Sequence, residues 1–388
     1  MEQLIIKTED RRLKALEELR SLNSEILYIW GNGSYSRDIE DYLRTVGHYD
    51  GHIMFLVDDE YYQPGKDDVM SISVFLGGRD MDIDVPVVFG FYNYPAVQRK
   101  KKEHPELKHL YDFHFAVVNG KRLAWDAFLA KDRENEYRKT YGLLSNERSR
   151  RCMLLYLNAA TAGEFHELFT ECYDARDYFN QITEGLHVDT LIDCGAFNGD
   201  SIHDFVAVFP DYKRIIAVEP DVSNLQRLLE RQKSENIRDL TTINKGLGSH
   251  ECVLHFKANG ESNSYLDDDG DVEIQITTLD EVSKDLRGDI FVKMDIEGSE
   301  LEALHGAENL IRKKHPIMAI CVYHNEEDLI EIPRYIHKIA GEGVYNYYLG
   351  FHGLDLAELV FYAIPKSAFG KTECSDQARL TGKCAYER

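Results

Sequence analysis

Thr190-Leu-Ile-Asp-Cys194 runs into Gly195-Ala-Phe-Asn-Gly199-Asp200, and this join decides the fold. A short apolar run bounded by glycine reads as a buried strand. The two glycines, four apart, let backbone approach a ligand closely, and the helical spacing over Ser201–Phe209 turns a helix N-terminus toward that ligand. The same alternation recurs downstream. It predicts strands at Arg214–Glu219, Leu240–Asn244, Asp289–Asp295, Ile317–Tyr323, Tyr345–Gly350 and Glu358–Ile364, with helices at Val222–Glu230, Leu301–Lys313 and Asp328–Ile339. Residues 252–279 form an extra β excursion. Strands alternating with helices imply a doubly wound α/β sheet, here of seven strands with one reversed.

Upstream, a smaller Rossmann-like α/β domain is expected over residues 1–120. A charged helix to about residue 22 precedes strands Ile26–Trp30, His52–Val57 and Val85–Phe89, with a helix near Arg37–Val46. Residues 121–186 space Trp125, Phe128, Leu129, Tyr137, Leu154, Leu155, Leu157, Phe165, Phe169 and Phe179 at helical intervals and read as a helical connector. The main sheet then occupies 187–366, and 367–388 reads as a loosely ordered tail.

Composition removes several classes. Forty-five basic against 68 acidic residues leave a net charge of −23, which disfavours nucleic-acid and membrane-surface binding. No apolar run reaches the roughly 20 residues of a bilayer span, and the start lacks the order of a signal peptide. Seven scattered cysteines without a CxxC pair read as reduced thiols, and the expected location is the cytoplasm.

Asp193 at a strand end would repel a phosphate but welcome an amino group or sulfonium. Glu219, 20 residues after Gly199, stands where an acid can bond ribose hydroxyls. Together with the glycine turn they fit a ribose-bearing cation without phosphates, a description S-adenosylmethionine meets. Lys293 inside a buried strand needs a partner or a ligand. Asp295 and Glu297 alternate by two at the sheet's carboxyl edge and are candidates to take a proton or hold a metal, and His324 ends the next strand. For Glu297 the plainer alternative is an acid at a helix entry; for His324, a structural histidine. In the first domain, Gly31-Asn-Gly33-Ser-Tyr-Ser36 is a degraded dinucleotide fingerprint, and Asp58 ends the following strand at a plausible ribose distance. The run Arg99–Lys102 reads as a solvated helix face.

The stretches 188–205, 215–221, 277–281, 290–307 (IFVKMDIEGSELEALHGA) and 317–333 resemble the FkbM-type methyltransferases in content and order. The resemblance implies a class I methyltransferase fold and an S-adenosylmethionine-dependent O-methyltransferase acting on a hydroxyl of a sugar, glycan or related small molecule. It implies that Asp193, Gly195, Gly199 and Glu219 hold the cofactor and that Asp295 and Glu297 line the reaction centre. Asn198, Asp200, Asn244 and Lys245 complete the candidate cofactor set, and Asp295, Glu297 and His324 the catalytic one. A divalent metal is possible but not favoured, since no His or Cys cluster accompanies the acids. The competing classes are a nicotinamide-dependent sugar oxidoreductase or epimerase, and a non-catalytic nucleotide- or sugar-binding protein.

Overall fold

A computed structural model describes residues 10–66, 68–77, 83–115, 117–118, 121–122, 131–257, 265–266 and 272–371. Two compact units emerge. The first comprises Met1–Asp126, Leu154–Thr170 and Leu354–Ala357; the second comprises Ala127–Met153, Glu171–Gly353 and Glu358–Arg388. Residues 121–186 are thus shared between the units. Their helices are Lys131–Leu143, Glu147–Ala162 and Phe165–Cys172. Trp125, Phe128, Leu129 and the tail beyond 371 lie outside the described residues.

The first unit is built on a parallel sheet in the order Val69–Ser71, His52–Val57, Ile26–Trp30, Ile83–Phe89, Leu107–Asp112. Alternation along its central strand sends Leu27 and Ile29 into one core with Ile39 and Leu43. Tyr28 and Trp30 enter the opposite core with Val87, Phe89 and Val97. Both faces are therefore apolar, as helices on each side require. The outer strands Val69–Ser71 and Leu107–Asp112 escape the sequence reading because they are short or rich in polar residues.

The second unit carries the larger sheet, ordered Leu240–Ile243, Arg214–Val218, Thr190–Cys194, Ile290–Met294, Ile317–Cys321, Leu359–Pro365, Tyr345–Phe351. Leu359–Pro365 runs antiparallel to both neighbours and is the one reversed strand. Thr190–Cys194, Ile290–Met294 and Ile317–Cys321 are buried along their whole length. Such near-continuous apolar runs belong to parallel strands covered on both faces. The excursion is real: Gly246–Leu247, Cys252–Lys257, Tyr265–Leu266 and Val272–Thr277 form a separate four-stranded sheet. The order reverses beside Thr190–Cys194, so a crevice opens at the carboxyl ends of that strand and its neighbours.

Candidate active site

The chain leaves Cys194 through Gly195, whose φ of +75° is left-handed and whose added Cβ would stand 1.8 Å from the Asp295 carbonyl oxygen. Only glycine lets two strand ends approach so closely. Below this crossing, Asp193 and Lys293 meet at 3.2 Å, both almost wholly buried. Lys293 also donates to the Gly195 carbonyl at 2.8 Å, and Ser201 donates to Asp193 at 2.6 Å. The lysine has thus found the partner its position demands. Asp193 is spent on bracing the turn from beneath and does not line the cavity.

Arg214–Val218 delivers Glu219, which accepts from the backbone N–H groups of Phe197 at 3.0 Å and Asp221 at 2.9 Å, with the Asn224 amide farther off at 3.4 Å. Burial raises its pKa against these donors. A carboxylate has about four acceptor positions, so capacity remains for a ligand hydroxyl. Asn244 donates to the carbonyls of Glu219 and Pro220, fixing that corner rather than reaching the cavity.

Past Met294 the backbone turns sharply. Glu297 is left-handed at φ 55° and Gly298 follows at 94°. A non-glycine residue in that region is strained, a cost that gathers at functional sites. The bend gathers Asp295, Glu297 and Glu300 around His324. The histidine Nε2 lies 3.3 Å from Asp295 Oδ1 and 3.6 Å from Glu297 Oε2, and Nδ1 lies 2.9 Å from Glu300 Oε1. Tyr178 donates to the other Asp295 oxygen at 2.9 Å. Burial would raise the Asp295 pKa, but the charges of His324 and Lys293 and the Tyr178 hydrogen bond hold it below the usual range. Glu297 goes the other way. Burial, with Asp295 and Glu300 nearby, lifts it to about 7 against the pull of His324 and Lys293. For His324 burial lowers the pKa, yet Glu300, Asp295 and Glu297 outweigh it and raise the value to about 10.

These elements enclose a cavity of about 510 Å³. Of the sequence candidates, Gly195, Asp200, Glu219, Lys245, Asp295 and Glu297 line it. Asp193, Asn198, Gly199, Asn244 and His324 stand behind the wall. Gly199 holds the turn at φ +82°, and Asn198 receives Arg231 at 3.4 Å. Asp177, Tyr178 and Asp204 line the cavity without having been singled out. Tyr178 sits 117 positions from the Asp295 it touches, and no local pattern marks such a pair. Glu300 carried a signal, since it belongs to the same acidic string as Asp295 and Glu297. One atom each from Asp295, Glu300 and His324 falls within 4.8 Å of the others, compact enough to hold an ion, although the imidazole itself stands between the carboxylates.

The first unit turns its fingerprint to packing. A Cβ on Gly31 would meet the Gly90 carbonyl at 2.7 Å, and Ser36 donates to that same oxygen. Asp58, expected near a ribose, is occupied by Trp30 Nε1 at 3.0 Å and Lys100 Nζ at 2.8 Å. Lys101 pairs with Asp112, so half of the Arg99–Lys102 run is engaged inward rather than solvated.

A central parallel sheet with one reversed strand beside its edge, and a glycine turn facing an acid on the next strand, defines a class I methyltransferase fold. Residues 193–342 match the family model of the methyltransferase FkbM domain. The crystal structure of methyltransferase FkbM from Methylobacillus flagellatus KT superposes with a TM-score of 0.66 at 22% identity, covering 91% of this chain and 98% of that one. Partial overlaps occur with precorrin-6y C5,15-methyltransferase from Geobacter metallireducens GS-15 (TM-score 0.31, 12% identity, 48% of this chain and 85% of that one). An rRNA methylase from Streptococcus thermophilus overlaps similarly (0.32, 13%, 48% and 93%). Comparison with curated proteins gave no match. No helix among the described residues is long and apolar enough to cross a membrane.

Proposed function

We propose that the second unit is an S-adenosylmethionine-dependent O-methyltransferase in which Glu297 takes the acceptor's proton. The observation that carries this reading is one cavity lined by both Glu219 and Glu297, in which burial beside Asp295 and Glu300 pushes the Glu297 carboxyl up to about 7. A base poised near the working pH combines a populated free carboxylate with useful proton affinity. Bound at the Gly195–Asp200 turn, S-adenosylmethionine would supply an electrophilic methyl group. Glu219 would hold the ribose, and Gly195, which lines the cavity without a side chain, would meet the ligand with backbone alone. Asp295, kept ionised and fixed by Tyr178, would orient the acceptor hydroxyl, and Glu297 would receive its proton as the carbon–oxygen bond forms. Positioning of this kind can supply much of the barrier reduction.

The acceptor we favour is a hydroxyl of a sugar, glycan or related small molecule. Asp177, Asp200, Asp204, Glu219, Asp295, Glu297 and Glu358 line the cavity against Lys245 and the already paired Lys293, so an uncharged acceptor suits it better than a phosphorylated one. The test is transfer of a labelled methyl group to a panel of neutral and phosphorylated sugars. Because Glu297 must be deprotonated, the rate rises with pH through about 7. Glu297→Gln lowers turnover by roughly 10²–10⁴-fold with cofactor affinity unchanged. Chelators leave the wild-type rate as it was. Full activity in both Glu297→Gln and Asp295→Asn would remove the two acids from the chemistry.

A further inference from the structure

We infer that Glu300 is a positioning residue that holds His324 as an imidazolium against Asp295 and Glu297, an inference that rests on the methyltransferase reading of this site and extends it. The argument is geometric. Both ring nitrogens face carboxylate oxygens, Nδ1 toward Glu300 at 2.9 Å and Nε2 toward Asp295 at 3.3 Å and Glu297 at 3.6 Å. Three carboxylates thus stand within 3.6 Å of the nitrogens of one buried ring, and an imidazolium meets their charge where a neutral ring would leave a lone pair among them. This crowding of acids favours a proton on both nitrogens.

Glu300 is suited to this task. It is fully buried, and its Oε1 also accepts the Ile296 N–H at 2.8 Å, which ties the carboxylate to the loop that carries Asp295 and Glu297. The Nδ1 contact is close but poorly aligned, and Glu300 Oε2 has no hydrogen-bond partner. Charge rather than an ideal hydrogen bond holds the pair, which is a strong hold in a site shielded from water. Other elements face the histidine too. Asp328 begins the following helix and accepts from the Asn325 N–H at 2.8 Å, and the Tyr323 ring lies 4.1 Å away between centroids. Tyr178 reaches the cluster through Asp295, and Lys293 is committed to Asp193 and Gly195. His324 is thus the cation shared by the two cavity acids. With it in place, Asp295 stays below the usual carboxylate range, while burial pushes Glu297 up to about 7, as it does Asp328.

The experiment follows imidazole nitrogen resonances of the full-length protein against pH, with His324 assigned by the signal missing from His324→Gln. In wild type the ring stays protonated to about pH 9, in keeping with the value near 10 set by its acidic neighbours. Glu300→Gln keeps an oxygen for Ile296 but loses the charge. It should lower the His324 midpoint by at least one pH unit, about a tenfold loss of imidazolium at a fixed alkaline pH. Glu300→Asp should restore most of the effect. A wild-type midpoint at or below 7 overturns the inference, and that measurement decides the matter even where the variant fails to fold. An unchanged midpoint in folded Glu300→Gln also overturns it. So does a stoichiometric divalent ion in the purified protein that the variant loses. If the titration behaves as expected but no methyl group is transferred to any acceptor, the pairing stands and the methyltransferase reading fails.

Discussion

At the scale of single residues, the acids of the second unit divide by what they already hold. Asp193 has Lys293 and Ser201, whereas Glu219 has backbone donors and room for a ligand. The sequence exposes both as strand-end acids but cannot say which one faces the cavity. That depends on the lysine one strand away, 100 positions later in the chain. Tyr178 shows the same limit, because its contact with Asp295 exists only after the sheet has formed. The distinction has a measurable consequence. Glu219→Gln should weaken binding of the demethylated cofactor about tenfold, since a hydrogen bond to a charged group contributes roughly 1.5–3 kcal/mol. Calorimetric titration reads this directly. Undiminished affinity in a folded Glu219→Gln protein would place the ribose elsewhere.

At the scale of elements, hydrophobic spacing located the seven strands of the larger sheet within a residue or two but missed what happens inside the helices. The helix expected over Leu301–Lys313 divides into Glu300–His305 and Glu308–Lys314. At the break, a Cβ on Gly306 would lie 2.1 Å from the Gly248 carbonyl oxygen. Leu304, Ala307 and Ile311 remain buried on both sides, so the period gives no warning. The helix Asp328–Ala340 instead continues through Pro333. Proline has no N–H to offer the carbonyl four residues back, which is that of Leu329. Thr140, from Lys131–Leu143, supplies the missing donor at 3.1 Å in a buried contact. Thr140→Val keeps the shape and removes the hydroxyl, leaving a buried carbonyl unsatisfied at a cost of about 1–3 kcal/mol. Urea unfolding should show a lower midpoint. A midpoint equal to wild type would mean that the helix settles the carbonyl by other means.

At the scale of the whole molecule, domain boundaries were the part of the fold least open to sequence reading, because the second unit is discontinuous. Its outer strand, Tyr345–Phe351, offers one edge, and open edges invite pairing with other chains. Segments far upstream cover it. Leu144 and Tyr173 bridge to Tyr347 and Phe351. Ser145 exchanges hydrogen bonds with the Tyr347 backbone, Ser149 accepts from the Leu349 N–H at 3.0 Å, and the Asp174 N–H donates to Phe351 at 3.1 Å. Residues that read as a connector thus include the edge cover of the larger sheet. Their polar, helical spacing gives no hint of this, since a few serines and a bridge leave no period. A fragment cut at the boundaries the sequence suggests, 187–366, would keep all seven strands yet expose that edge. It should aggregate on size-exclusion chromatography, or melt well below the intact chain. Substituting both Ser145 and Ser149 by alanine in the full chain should produce a milder loss in the same direction, because the backbone bridge at Leu144 survives. A monomeric fragment that melts with the intact protein would show that the upstream cover contributes nothing, and that the sheet protects its own edge.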